Sequence, residues 1–335
     1  MKKIVALLLA FLLMAGLAAC AADTPEAIAE PTPEVSPVPT PEPEPECRVF
    51  RAAFITQSLT NESQAETWSE FQRMAPEVDF EMSIFAGEYE PDVEFDGVLT
   101  AIANGYDVIF VNPSSIEDIA PALQQARDAG LIVGMLSSMI PDEYRHVVDF
   151  FVGFDNFLIG AQAGEFISQS FPDGASFVEV GGPVWDSVAN ARHEGFRSGI
   201  ADNIIELGSV FAPTDWNTHE AMSIMEDFIA RFGNQIDIVW CHWDEGVSGV
   251  IEALANAGIE DVFVAGVGGS SIGYQQVLDG VQALSVDLPT ISLAWGSLRL
   301  ARNMLEGETV LVDNWLPADM VTIDVARFSF LCPNW

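Results

Sequence analysis

From Arg48 onward, short apolar runs alternate along the chain with longer amphipathic segments. The first apolar runs read RAAFITQS, VDFEMSIF, DVIFVN and LIVGML, and the segments between them, such as ESQAETWSEFQRMA, place apolar residues at helical spacing. Strands that are apolar nearly throughout are typical of parallel sheets covered by helices on both faces. The pattern therefore predicts an α/β fold in which strands and helices alternate.

One unit of this pattern occurs twice, in residues 106–136 and again in residues 236–267. Each copy has an acid-led apolar strand, a polar loop, a helix that ends at Ala-Gly and a second apolar strand. A chain of 335 residues is long enough for two ordinary cores. We therefore expect two Rossmann-like lobes, each a parallel sheet flanked by helices, with ligand contacts from the loops beyond the carboxyl ends of the strands.

The N-terminus has the composition of an export signal. Lys2 and Lys3 precede an apolar run over residues 4–13, and the sequence LAAC closes the segment at Cys20. The tetrapeptide resembles the bacterial lipobox, whose cysteine is lipidated and becomes the first residue of the mature chain; an ordinary signal with a chance cysteine is the alternative. Residues 1–20 are thus predicted to be a lipoprotein signal, which leaves the protein lipid-anchored to the outer face of the cell membrane, or periplasmic.

Residues 21–47 form a second segment, in which proline recurs every few positions and every charged side chain is acidic. This composition cannot supply a hydrophobic core and favours extended polyproline conformations. At about 3.1 Å per residue, the segment could reach on the order of 80 Å. We expect a linker that acts as a stalk and holds the globular body away from a membrane.

The formal charge of −37 argues against a nucleic-acid partner. Removal of Lys2 and Lys3 with the signal would give −37 − 2 = −39. Binding to nucleic acid depends on basic side chains that neutralise phosphates, so a body this acidic should be repelled.

Cys241, His242 and Glu245 stand close together in IDIVWCHWDEGV and suggest a metal site at first sight. Neighbouring side chains of a strand point to opposite faces, so Cys241 and His242 cannot ligate one ion without distortion. The cysteines show no close pair typical of structural zinc. Cys47 and Cys332 bracket the body and could form a disulfide, a question that the sequence leaves open. No metal, cofactor or catalytic residue is predicted, because no nucleophile motif such as GxSxG occurs either.

Four segments, taken in order, resemble a known family. They are VIFVNPSSIEDIAPALQQARDAGLIV, FVGFDNFLIGAQAGEFI, VANARHEGF and VDLPTISLAWGSLRLARNMLEGE. Over residues 52–310 the chain resembles the periplasmic-binding-protein type I fold, in particular the ribose- and galactose-type sugar-binding lipoproteins of ABC importers. Related transcription regulators carry a DNA-binding headpiece where this chain has the signal and stalk, which argues against a repressor.

The resemblance implies two lobes joined by a three-crossover hinge, with a sugar clamped between them. The implied crossovers lie near residues 154–155, 287–288 and 314–317. Lobe one would comprise residues 48–153 plus 288–313, and lobe two residues 154–287 plus 314–335.

The resemblance also carries ligand positions over, one residue at a time. Asn61 and Asn112 match polar positions of lobe one, and Asp287 matches a polar hinge position. Arg192 matches an arginine that binds ring or hydroxyl oxygens, and Trp216 matches an aromatic that stacks on the sugar. A guanidinium fork offers fixed donors while an aromatic ring covers an apolar C–H face, a combination that suits polyols.

Several positions depart from the ribose-type pattern. Ser137 and Ser138 stand where the pattern has an Asp-Arg pair, and Trp243 stands where it has an asparagine. These departures put ribose itself in doubt and leave another sugar or an aromatic-faced ligand open. Asp244 is predicted either to cap the helix that follows it or to line the pocket. The predicted ligand-binding set is Asn61, Asn112, Ser137, Arg192, Trp216, Trp243, Asp244 and Asp287.

Together these observations predict a binding protein and not an enzyme. We expect an extracytoplasmic receptor that acts as a monomer, captures a small polar ligand, in the first instance a monosaccharide, and delivers it to an ABC permease. The alternatives are a sensor that presents its closed form to a chemoreceptor or kinase, and a receptor for a nucleoside-like or other aromatic-stacked ligand.

Overall fold

The computed structural model describes residues 48–137 and 140–326. The predicted signal and stalk, the lipidation site Cys20, the cysteines Cys47 and Cys332, and Ser138 lie outside the described residues. Within the described part, the chain forms two sheets of six strands each.

The first sheet is parallel throughout, in the order β11-β5-β4-β3-β1-β2. Its strands are β1 (Phe50–Thr56), β2 (Phe80–Ala86), β3 (Val108–Asn112), β4 (Ile132–Leu136), β5 (Phe150–Phe154) and β11 (Asp313–Leu316).

The second sheet has the order β12-β10-β9-β8-β6-β7. Its strands are β6 (Ala175–Gly181), β7 (Ile204–Phe211), β8 (Ile238–Cys241), β9 (Phe263–Gly268), β10 (Leu284–Asp287) and β12 (Asp319–Val321). Five of these strands run parallel, and β12 pairs antiparallel with β10 at one edge. The predicted class of two Rossmann-like lobes is therefore confirmed, with one antiparallel edge strand that the pattern did not predict.

Helices cover both faces of each sheet. They are α1 (Glu62–Met74), α2 (Pro91–Ala103), α3 (Ile116–Asp128), α4 (Asn156–Ser170), α5 (Ser187–Gly199), α6 (Thr218–Phe232), α7 (Asp244–Ala257), α8 (Ser271–Asp279) and α9 (Thr290–Leu305). Side chains of β3 alternate between two cores: Ile109 packs with Leu123 of α3, and Phe110 packs with Phe71 of α1 and Leu298 of α9. Because both faces of β3 pack in a core, its side chains are apolar on both faces.

The chain passes between the two sheets at three places. The first passage follows β5 at Asp155, the second follows β10 at residues 288–289, and the third follows β11 at residues 317–318. The predicted boundaries differ slightly from these positions. The predicted boundaries place residues 314–316 and Phe154 in lobe two, but residues 314–316 of β11 pair with residues 152–154 of β5, so all of them belong to the first sheet.

The internal repeat corresponds to equivalent positions in the two sheets. The units β3-α3-β4 and β8-α7-β9 both place their strands side by side near the centre of a sheet. In the described residues, no helix combines the length and apolar character needed to cross a bilayer.

Candidate functional site

A cavity lies between the two lobes, at the carboxyl ends of both sheets. The space between its walls is about 860 Å³, open solvent included. Loops that follow β1, β3 and β4 supply one wall, and loops that follow β6, β7, β8 and β9 supply the other. Of the eight predicted site residues, the cavity is lined by Asn61, Asn112, Ser137, Arg192, Trp216 and Trp243.

The wall from the first lobe is polar. Asn61 caps α1, since its Oδ1 accepts from the Gln64 backbone N–H at 3.2 Å. Asn112 is buried at the end of β3, and its backbone carbonyl accepts from the Gln57 N–H. Ser137 follows β4 with a φ of 59°, and its N–H donates to the Val152 carbonyl. One helix cap and two strand ends therefore fix three predicted residues on one wall.

Arg192 of α5 is the buried cation of the second wall, only 6% exposed. Its Nε donates to Asn156 Oδ1 at 3.0 Å, and its Nη1 donates to the His242 carbonyl at 2.5 Å. Burial lowers the pKa of Arg192 to about 10, although the neighbouring carboxylate of Asp186 acts in the opposite direction. The guanidinium is thus charged at neutral pH, and its hydrogen bonds to Asn156 and His242 hold it in one orientation.

Two tryptophans form the apolar part of the cavity wall. Trp216 and Trp243 meet edge to face, with ring centroids 5.5 Å apart and planes at 88°. Trp216 donates its Nε1–H to Asp186 Oδ2 at 2.9 Å, and the guanidinium carbon of Arg192 lies 5.7 Å from its ring centroid. The tight approach of Trp216 requires Gly182, where a Cβ would lie 2.2 Å from the indole. This arrangement fixes both rings before any ligand enters.

A buried network supports Arg192 from the side opposite the cavity. Gly182 N–H donates to His242 Nδ1 at 3.3 Å, so His242 Nε2 carries the proton and donates to Glu179 Oε1 at 2.9 Å. His193 and Ser209 also contact the Glu179 carboxylate, at 2.9 and 2.7 Å. Burial alone would raise the pKa of Glu179, but these hydrogen bonds outweigh burial and hold the pKa well below its usual range.

Asp244 does not line the cavity, and the prediction that it caps α7 is wrong. The N-cap of α7 is Trp243, and Asp244 is fully buried as the first helical residue. Its Oδ2 accepts from Ser285 Oγ at 2.7 Å and from the Gly269 N–H at 2.8 Å, and its Oδ1 accepts from Gln282 Nε2 at 2.8 Å. The carboxylate therefore ties α7 to the ends of β9 and β10.

Asp287 also lies outside the lining of the cavity. It is the last residue of β10, and its Oδ2 accepts from Tyr274 Oη at 3.1 Å. Burial raises the pKa of Asp287 to about 6, and the nearby Asp319 and Asp244 act in the same direction. The structure places this residue at the second crossover, as predicted, but directs its hydrogen bond to a neighbouring helix.

The predicted set omits lining residues that the structure brings to the cavity. Asn156 orients Arg192, Asp186 binds the Trp216 indole, and Glu66 and Glu245 line the cavity from opposite lobes. Asp186 could have been found from sequence, because it precedes the helical VANAR segment as an N-cap does, and its Oδ1 accepts from the Val188 N–H at 2.8 Å. Glu66 lies one turn into α1, and sequence alone does not show which side of that helix faces the cavity.

Cys241 and His242 do separate to opposite sides of the second sheet. Cys241 packs with Val239 and Trp243 in one core, whereas His242 bonds to Glu179 beside the other. Burial raises the pKa of the Cys241 thiol, so the thiol is protonated. Across residues 48–137 and 140–326, no group of three or more His, Cys, Asp or Glu side chains is arranged to hold a metal ion.

Two lobes that are joined by three passages and enclose a polar and aromatic cavity are typical of a ligand-capturing protein. A family model for the periplasmic binding protein domain matches residues 52–309, and the chain belongs to this family. This is a family of extracytoplasmic solute-binding proteins, so the protein binds a solute and is not an enzyme.

Individual relatives are similar over most of the chain. The ribose import binding protein of Salmonella typhimurium is 24% identical over 260 residues, which cover 77% of this chain and 86% of that protein. An ABC transporter solute-binding protein from Actinobacillus succinogenes, solved with bound D-allose, has a TM-score of 0.79 at 19% identity and covers 83% of this chain and 99% of its own. The fructose-binding periplasmic domain of a hybrid two-component system has a TM-score of 0.74 at 22% identity, covering 84% and 93%.

Proposed function

We propose that this protein captures a monosaccharide or a similar small polyol between its two lobes and delivers it to an ABC permease. The observation that carries the proposal is the cavity itself, where a buried arginine, an edge-to-face tryptophan pair and polar strand ends of the other lobe surround one small space. A sugar offers hydroxyl oxygens to the guanidinium and apolar C–H faces to indole rings.

Two similar proteins bind ligands of this class. The relative from Salmonella typhimurium is a ribose import binding protein, and the solved structure from Actinobacillus succinogenes holds D-allose.

The proposal extends to how the receptor is held at the cell surface. We infer that Cys20 is lipidated, that residues 21–47 act as a stalk, and that the receptor works as a monomer. The lipobox-like LAAC and the proline- and glutamate-rich composition that follows it support this inference.

The test is isothermal titration calorimetry of the purified chain with D-ribose, D-xylose, D-galactose, D-fructose, D-allose and myo-inositol. At least one should bind, and Arg192→Ala or Trp216→Ala should weaken that ligand at least about tenfold, because each removes a buried contact worth over 1 kcal/mol. Glu252→Ala, an exposed change on α7, is the control and should leave affinity unchanged. Absence of binding to the whole panel, or unchanged affinity in both cavity variants, would falsify the proposal.

A sensor function is the second candidate. The structural similarity to the fructose-binding domain of a hybrid two-component system favours it, because the same two-lobe body there belongs to a signalling protein. Both functions use the same closed, ligand-bound form. Pull-down of the sugar-loaded chain distinguishes them: a permease complex indicates import, and a kinase or chemoreceptor ectodomain indicates sensing.

A further inference from the structure

Two loops of the second lobe are tied to each other by a pair of tryptophans. One loop joins β6 to α5, and the other joins β7 to α6. Trp185 of the first loop donates its Nε1–H to the Thr214 carbonyl of the second at 3.1 Å, and Trp216 of the second donates its Nε1–H to Asp186 Oδ2 of the first at 2.9 Å. Trp185 is 43% exposed, whereas Asp186 is only 7% exposed. The two hydrogen bonds are therefore alike in chemistry and differ in burial.

The carboxylate of Asp186 also caps a helix. Its Oδ1 accepts from the Val188 N–H at 2.8 Å at the start of α5, so the side chain has a fixed place relative to that helix. Oδ2 is thereby presented to the indole of Trp216 from a fixed position. Arg192 belongs to the same helix, and its guanidinium carbon lies 5.7 Å from the Trp216 ring centroid. One carboxylate thus links the helix that carries the buried cation to the aromatic ring beside it.

The other contacts of the Trp216 ring are apolar. The ring packs over Gly182, where a Cβ would lie 2.2 Å from the indole, and it meets Trp243 edge to face at 5.5 Å. The outer torsion of a tryptophan side chain is broad, so packing on the ring face does not select which edge of the indole turns inward. A hydrogen bond is directional, and the bond to Asp186 selects one edge.

We propose that Asp186 is a positioning residue for ligand binding, which holds the indole of Trp216 in the orientation that a ligand meets. The inference rests on the proposed function, because it assigns Asp186 a role at the same cavity. A ring that is already held in its binding orientation loses little freedom when a ligand is captured, and this favours affinity. Asp186 lines the cavity, but in this proposal it acts through Trp216 and not through a bond to the ligand.

The test is a double-mutant cycle between these two residues. Asp186→Asn keeps the shape of the side chain and the cap of α5, but its amide NH₂ cannot accept from the indole N–H. In calorimetry with the tightest sugar of the panel named above, this change should raise the Kd about tenfold. In the Trp216→Phe background, which has no indole N–H, the same change should alter the Kd less than about twofold.

Trp185→Phe is the matched control for the cycle. It removes the other indole hydrogen bond between the same two loops and should leave the Kd within about twofold of the wild-type value, because it does not hold the Trp216 ring. An equal rise in Kd on Asp186→Asn in both backgrounds would show that Asp186 acts directly on the ligand or on Arg192, and would overturn the proposal. An unchanged Kd in Asp186→Asn alone would overturn it too.

A measurement without ligand separates this role from the proposed function. The edge-to-face rings of Trp216 and Trp243 couple their electronic transitions, which gives a paired band in far-ultraviolet circular dichroism. The band should be lost in Asp186→Asn, as in Trp216→Phe, and kept in Trp185→Phe.

Asp186→Ser is a second variant for the same measurement. Serine can cap α5 but is too short to reach the indole, so this variant should lose the band as well. If no sugar of the panel binds, the proposed function fails, and the band still decides whether Asp186 positions Trp216. A band of wild-type strength in both Asp186→Asn and Asp186→Ser overturns the positioning role.

Discussion

At the scale of single residues, Glu179 is the centre of a buried hydrogen-bond network beside the site. Its carboxylate is fully buried, accepts from His242, and lies within hydrogen-bond distance of His193 and Ser209. The backbone carbonyl of His242 in turn accepts from Arg192. These contacts position the guanidinium of Arg192. A substitution at Glu179 should therefore alter the cavity although Glu179 itself does not contact a ligand.

Replacement of Glu179 by glutamine should lower the free energy of unfolding by about 3 kcal/mol at pH 7, since one partner of a buried charged network is lost. The lowered pKa of Glu179 stabilises the fold above the unfolded-state pKa near 4.3, and this contribution disappears as pH falls. Urea unfolding should therefore show the largest wild-type advantage near neutral pH and a smaller one near pH 3. Glu206→Gln removes only the half-exposed partner of Arg197 and should cost less than about 1 kcal/mol; equal losses in the two variants would contradict the argument.

Prediction from sequence placed a residue in the cavity wall where it stands at or just after a strand end, and its contact with a ligand stays a prediction. Asn112, Ser137 and Trp243 each stand at that position, and each lines the cavity. It failed at Asp244, which looks like an N-cap in sequence but bonds to Ser285 in the neighbouring strand β10. The partner of a buried carboxylate is a tertiary contact, and local spacing carries no information about it.

At the scale of elements, α4 and α5 are packed backbone to backbone. A Cβ at Gly195 would lie 1.9 Å from the Phe157 carbonyl oxygen, and a Cβ at Gly160 would lie 2.2 Å from the carbonyl oxygen of Arg192. Glycine is needed at these positions because no side chain fits between the two helices. Since Arg192 belongs to α5 and Asn156 begins α4, this close contact sets the separation of the two residues that face the cavity.

Gly195→Ala should destabilise the protein by about 3 kcal/mol, because the new methyl group overlaps main-chain atoms that cannot move aside easily. The matched control is Gly296→Ala on α9, where the nearest atom to a new Cβ is Val152 Cγ1 at an ordinary 3.6 Å. That change should be neutral or stabilising by up to about 1 kcal/mol, as alanine is the better helix former. Thermal unfolding monitored by circular dichroism compares the two, and a Gly195→Ala variant as stable as Gly296→Ala would disprove the packing argument.

The order of strands and helices was predictable because the buried strands appear in the sequence as unbroken apolar runs. The run DVIFVN became β3 over Val108–Asn112, and LIVGML became β4 over Ile132–Leu136. The short strands β11 and β12 were not predictable, because DNWL and DMV are too short and too polar for a periodic signal. β11 and β12 form edge strands because they pair with β5 and β10. This pairing is a tertiary contact and cannot be read from local sequence.

At the scale of the whole molecule, different segments of the chain have different roles. The body captures a solute between two topologically equivalent sheets, and the three passages between them leave the lobes free to bend about one edge. We propose that the segment before Arg48 tethers the body to the membrane, with residues 21–47 as a stalk.

Attachment can be tested on the intact chain in a bacterial host. We expect the wild type in the membrane fraction and labelled by an alkyne-bearing fatty acid, because the proposed lipid on Cys20 would supply the hydrophobic anchor. Cys20→Ala should lose the label and move to the soluble fraction, whereas Ala21→Ser, the adjacent position, should keep both properties. The purified Cys20→Ala protein should bind the same sugar with unchanged affinity, because the change leaves every cavity residue in place. Membrane retention or labelling of Cys20→Ala equal to that of the wild type would show that the protein is held by some other means.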